Sequence, residues 1–81
     1  MSARVLLYTR PGCHLCDEAR AVLERVCAAE GETFEEVDIA GDAELEQRFG
    51  TEIPVTFVDG EQHDFFRVDE ARLRRALHAA R

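Results

Sequence analysis

No apolar run in this sequence exceeds four residues, and Val5–Tyr8 and Val26–Ala29 are examples of that length. A membrane-spanning helix needs about 20 such residues. A secretory signal needs an apolar stretch of about 7–15 near the start, and here Thr9-Arg10-Pro11 cuts the first run short. The expectation is a cytoplasmic chain with no membrane partner. Positive charge is also scarce. Ten basic residues face seventeen acidic ones, a net charge of −7. Nucleic acids and anionic membrane surfaces are held by basic patches, so this balance argues against both as partners. Three cysteines are too few for a secreted disulfide scaffold. Repeats, linkers and low-complexity tracts are missing. The 81 residues leave room for one domain, spanning residues 1–81 and expected to be a monomer. A chain this short buries only about 60% of the surface its unfolded form exposes. Its hydrophobic content of 46% still excludes a disordered acidic tail.

The apolar pattern that is present spells an α/β fold. Val5-Leu6-Leu7-Tyr8 is a continuous apolar run bounded by Arg4 and Pro11-Gly12, and it reads as a strand buried on both faces. Leu15, Ala19, Val22, Leu23 and Val26 follow a 3.6-residue period, which predicts a helix from about His14 to Ala29. Asp17 and Glu18 sit in its first turn, where acids suit the dipole, and Gly31 is its C-terminal stop. Thr33 to Ile39 alternates, and its Glu35, Glu36 and Asp38 suit a sheet edge. Asp42 caps a short helix with Leu45 and Phe49 inside and Gly50 at its end. Val55–Val58 is a third strand, Asp59-Gly60 a hairpin turn, and Glu61 to Arg67 a fourth strand. Asp69 caps a last helix with Leu73, Ala76, Leu77 and Ala80 on one face. The order β-α-β-α-β-β-α implies a mixed four-stranded sheet flanked by helices.

The chemistry concentrates in Cys13-His14-Leu15-Cys16. Cys13 falls where the first strand gives way to the first helix. A helix N-terminus carries about half a positive charge and unpaired N–H groups, and both favour a thiolate. Cys16 lies one turn further on, and helix neighbours at this spacing are about 5–6 Å apart. That separation lets the pair open and close as a disulfide. The exposed Cys13 is the expected nucleophile and the covered Cys16 the resolving thiol. His14 between them, if protonated, and Arg10 on the approach would favour the thiolate; Asp17 and Glu18 oppose it.

Tyr8-Thr9-Arg10-Pro11-Gly12-Cys13-His14-Leu15-Cys16 resembles the active-site segment of glutaredoxins, and the whole element order resembles the thioredoxin-like fold they share. The nearest likeness is to a small bacterial group of glutaredoxin-like proteins with a Cys-His-Leu-Cys motif. The resemblance implies a thiol–disulfide oxidoreductase acting on disulfide-containing or glutathionylated proteins, with a reductase as electron donor. It implies a cis Ile53–Pro54 bond facing the thiols, and substrate contacts from Arg10, His14, Leu15, Ile53 and Pro54. Two features depart from the family pattern. Glu52-Ile53 stands where Thr-Val is common. Phe65-Phe66 stands near the place of a Gly-Gly pair, with Asp69-Glu70 near the two acids that follow it. Both departures argue against glutathione as co-substrate, and no bound cofactor is expected.

Other readings compete with these. Zinc would need four ligands, and Cys27, His14, His63 and His78 do not repeat the pair's spacing. An iron–sulfur role and a non-enzymatic adaptor with the same fold are the remaining alternatives. Cys27 reads as a half-buried small hydrophobe, and His63 and His78 as solvated. Phe65 and Phe66 point to opposite faces of one strand, so one is expected in the core and the other at the substrate.

Overall fold

A computed structural model describes residues 3–79. The strands are β1 (Val5–Thr9), β2 (Phe34–Asp38), β3 (Val55–Val58) and β4 (Glu61–Phe65). The helices are α1 (His14–Glu30), α2 (Ala43–Phe49) and α3 (Glu70–Ala79). The order β-α-β-α-β-β-α is as the sequence implies. The sheet order is β2-β1-β3-β4. β1 runs parallel to β2 across the α1 crossover and antiparallel to β3, which pairs antiparallel with β4 through the Asp59-Gly60 turn. The acid-rich β2 is an edge, as its charges require.

β1 is central, so its pleat organises the packing. Val5 and Leu7 are fully buried and join Leu23, Val26, Leu73 and Leu77 from α1 and α3. Leu6 and Tyr8 are only half-buried. The expectation of a strand buried on both faces is therefore corrected: α2 has seven residues and closes only part of that side. What it closes is aromatic. Tyr8 stacks on Phe49 with centroids 4.8 Å apart, and Phe57 meets both rings edge-on. The helix ends follow local rules. Asp42 accepts the Leu45 N–H and Asp69 the Arg72 N–H. Gly31 closes α1 with φ 70°, a left-handed conformation that suits glycine. Ala80, assigned to the inner face of α3 from sequence, lies outside the described residues.

All ten basic residues are arginines. Arg4 makes the widest use of the guanidinium's planar fork. It grips both Asp59 oxygens at 2.8 and 3.0 Å, Glu32 at 2.7 Å and the Leu77 carbonyl at 3.0 Å. One side chain thus ties the start of β1 to the β3–β4 turn, the approach to β2 and the end of α3.

β4 departs most from the sequence reading. It stops at Phe65, because Phe66 turns left-handed with φ 63° and ends the pleat before Arg67. A register shift opposite Thr56 and Phe57 leaves His63 without a paired residue. A bulge re-aims the side chain it carries. His63 is turned inward with 7% of its side chain exposed, not solvated; its Nε2 lies 3.7 Å from Asp64 and has no hydrogen-bond partner among the described residues. His78 keeps 59% exposure and pairs with Glu30. Cys27 is more deeply placed than expected, 3% exposed in the core under α1. Burial pushes its thiol pKa up, and the Glu32 charge adds to this.

Burial lowers the His63 pKa from its ordinary 6.5; the charge of Arg72 adds to this, while Asp64 and Asp69 oppose it. Between the lowered folded value and 6.5 the unfolded chain binds the proton and the folded chain does not. The stability His63 contributes is therefore present above 6.5 and lost as the pH falls toward its folded pKa. Thermal melts at pH 7.5 and 5.5 should show a drop in the wild type that His63→Gln makes shallower. Equal drops in the two proteins would remove His63 as the cause.

Candidate functional site

The site forms where β1 hands over to α1. Gly12 makes the turn at φ 76°, a left-handed conformation costly for residues with a Cβ. Cys13 follows in extended conformation as the N-cap of α1, and its Sγ accepts the Cys16 N–H at 3.2 Å. This is the place usually taken by Ser, Thr, Asp or Asn, whose oxygens satisfy an otherwise orphaned donor. Here sulfur does it, so the capping atom belongs to one of the paired thiols.

The two thiols have unlike surroundings. Cys13 is half-buried and Cys16 is 1% exposed. Burial, above all, pushes the Cys16 pKa up to about 12, and a hydrogen bond to Cys13 and the Cys13 charge add to this. A hydrogen bond from the Arg10 backbone and the charge of Arg20 pull the other way. Cys16 is thus held as a thiol. Such a pair can trade two thiols for one disulfide. All three cysteines are unbridged.

The structure brings part of the expected set together. Ile53 shares an apolar cluster with Cys16, Phe49 and Val55, and Cys13 packs against it. The Ile53–Pro54 bond is cis and Pro54 is fully buried. Leu15 is half-buried on the first turn of α1. His14 is not drawn in: 89% of its side chain is exposed, and its Nε2 lies 3.5 Å from Glu18. Arg10 reaches away to α2, pairing with Glu46 at 2.6 Å and donating to the Gly50 carbonyl at 3.4 Å. Among the described residues, no three His, Cys, Asp or Glu side chains converge as a metal site would need.

Sequence reasoning placed one of Phe65 and Phe66 in the core. Both are exposed, at 51% and 43%. The left-handed turn at Phe66 breaks the alternation that would have buried one of them. The two rings meet edge-on at 5.0 Å. The Phe66 N–H donates to the Pro54 carbonyl at 2.8 Å, fixing the aromatic pair beside the cis-proline loop. Phe66 also lines a groove of about 150 Å³ with Ala19, Val22 and Val68, rimmed by Glu18 and Arg67. Glu46 and Arg67 were missed from sequence. Each acts through a partner at least 36 residues away, and no local pattern marks such pairs.

Comparison with known proteins agrees with this geometry. Residues 4–78 match the model of the Glutaredoxin-like domain (DUF836). The uncharacterized protein Rv0508 of Mycobacterium tuberculosis is 33% identical over 76 residues, covering 88% of this chain and 78% of the relative. The X-ray structure of XcR50 from X. campestris is 36% identical with a TM-score of 0.79, covering 95% of this chain and 99% of that one. A thioredoxin from Fasciola hepatica, 22% identical with a TM-score of 0.64 over 99% of this chain and 82% of its own, shares the fold. With its four-stranded mixed sheet, three helices and paired cysteines on a thioredoxin-like frame, the chain belongs to the glutaredoxin-like domain family.

Proposed function

We propose that the protein is a dithiol–disulfide oxidoreductase acting on protein disulfides. The observation that carries this reading is the unequal thiol pair at the N-terminus of α1, with one sulfur capping the helix and the other buried beneath it. The Cys13 thiolate attacks one sulfur of a substrate disulfide. That S–S bond breaks, one substrate sulfur leaves as thiolate, and the other stays bonded to Cys13. Cys16 then loses its proton and attacks the Cys13 sulfur, expelling the second substrate sulfur. Two electrons pass to the substrate, and Cys13–Cys16 is left as a disulfide. A dithiol donor, such as a reductase, returns the pair to its reduced form.

Disulfide-containing or glutathionylated proteins in a reducing, cytoplasmic setting are the proposed substrates, and three features support them over free glutathione. Glutathione is an anion, and Glu52 sets a carboxylate two residues before Pro54. Its backbone carbonyl accepts from Phe66 at 3.4 Å, which ties it to the same loop. Phe65 and Phe66 present apolar rings beside that loop. Phe66 also holds a left-handed φ at some conformational cost, and strain of this kind gathers at functional sites. Arg10, the cation nearest in sequence to Cys13, is already paired with Glu46.

In the reduced protein, iodoacetamide should label Cys13 and spare Cys16 and Cys27, as read by peptide mass. Cys13→Ser should abolish reduction of a peptide disulfide, whereas Cys16→Ser should accumulate a mixed disulfide on Cys13. An adaptor module would show neither turnover nor trapping. If Cys13→Ser keeps wild-type turnover, the proposed mechanism is wrong.

Phe66→Gly relieves the left-handed strain and removes an exposed ring, two effects on stability of about 1 kcal/mol that oppose each other. Its melting temperature should stay close to the wild type's. Its kcat/KM should fall severalfold for a peptide disulfide flanked by apolar residues, and stay level for a small aliphatic disulfide. Parallel changes on both substrates would remove the aromatic pair from recognition.

A further inference from the structure

Arg10 and Arg20 flank the thiol pair in sequence, three residues before Cys13 and four after Cys16. Each already holds carboxylates. Arg20 pairs with Glu36 at 2.6 Å and with Asp17 at 2.8 Å. Arg10 pairs with Glu46 at 2.6 Å, and a second contact reinforces its placement. Its Nη1 donates to the Gly50 carbonyl at the C-terminal end of α2, where outward-facing carbonyls favour a cation. A Cβ at Gly50 would clash with the Glu46 backbone carbonyl and would also come within 3.3 Å of Arg10 Nη2. The guanidinium is thus drawn toward α2 from a residue only three positions before Cys13. Both side chains are partly open to solvent, at 40% and 42%.

We propose that Glu46 is a positioning residue for substrate charge: by holding Arg10 against α2, it withholds that cation from the thiol pair and makes the site select against anionic disulfides. The inference rests on the proposed disulfide exchange and deepens it, because it names what decides between an anionic small-molecule substrate and a neutral or basic protein segment. Paired, the guanidinium and carboxylate nearly cancel at the distance of an incoming ligand. Unpaired, Arg10 presents a full positive charge to whatever approaches Cys13. Because the pair is solvent-screened, its removal should act by about two- to fivefold rather than by orders of magnitude.

Alkylation tests this without turnover. Iodoacetamide and iodoacetate share size and leaving group and differ by one negative charge. The ratio of their rates at Cys13 cancels the fraction of thiolate and reports the local field. Glu46→Gln should raise the iodoacetate-to-iodoacetamide ratio about two- to fivefold, and Glu46→Asp should hold it near the wild-type value. Removing a carboxylate also removes its own repulsion, so the same change is made in an Arg10→Gln background, where the gain should vanish. Turnover of glutathione disulfide relative to a neutral hydroxyethyl disulfide should rise in Glu46→Gln by a similar factor. An unchanged alkylation ratio in a Glu46→Gln protein that melts like the wild type overturns the proposal. So does an equal gain in the absence of Arg10. A protein that alkylates as expected but reduces no disulfide would sink the functional reading and leave the role of Glu46 standing.

Discussion

The hydrogen bond from the Cys16 N–H to the Cys13 sulfur is at once a helix cap and a link between the two thiols on which the proposed chemistry rests. An orphaned donor at a helix start must be satisfied, and an oxygen side chain would do it at least as well as sulfur. Using sulfur ties one of the paired thiols to the start of α1. It also aims the helix's positive end at the charge a thiolate carries. Much of the rest of the fold follows from keeping that end in place. β1 sits in the middle of the sheet, with Val5 and Leu7 sealed against α1 and α3. β3 pairs antiparallel with β1, so the Pro54 loop at its start is delivered to the same end of the sheet as Cys13.

Features with local causes were legible in the sequence. The CxxC spacing, the cap positions of Asp42 and Asp69, the Asp59-Gly60 turn and the period of α1 are each written within a few neighbouring residues, and each stands where expected. The cis Ile53–Pro54 bond was legible only through family resemblance. What was not legible depends on events at a distance or on a single slipped residue. A strand pattern assumes strict alternation, and the bulge opposite Thr56 and Phe57 breaks it. One extra residue buries His63 and, with the left-handed turn at Phe66, brings both phenylalanines to the surface. The Arg10–Glu46 pair joins two elements by tertiary geometry alone. Arg10 was therefore read as a free charge near Cys13, when much of that charge is already matched.

The same point applies to net charge. A total of −7 describes the field far from the molecule, where it opposes the approach of anions. Close to the thiols the arrangement of pairs matters more. Arg10, Arg20 and Arg67 each meet a carboxylate, from Glu46, Glu36 and Glu18 respectively. Exposed pairs of this kind contribute little to stability. Their consequence is local: these three guanidinium groups are already matched, and the rings of Phe65 and Phe66 stand beside the Pro54 loop. Under the proposed function, apolar contact and neutral backbone, rather than carboxylate recognition, are what such a surface offers a substrate.

Cys16 gives the proposed cycle its order. In the reduced protein three effects hold its proton: burial first, then the hydrogen bond to Cys13 and the Cys13 charge. Once Cys13 is bonded to a substrate sulfur it carries no charge and is a poorer acceptor, so the second and third effects are lost together. Burial remains, but the Arg10 backbone hydrogen bond and the Arg20 charge, which favour the thiolate, are no longer opposed by Cys13. The resolving thiol is therefore easier to ionise after the first step than before it. A pair with equal, open thiols would have no such sequence built in, and either sulfur could begin the reaction. In the proposed cycle, burying one sulfur and capping the helix with the other orders the two steps, and a glycine turn, a helix start and the cluster beneath them supply that arrangement.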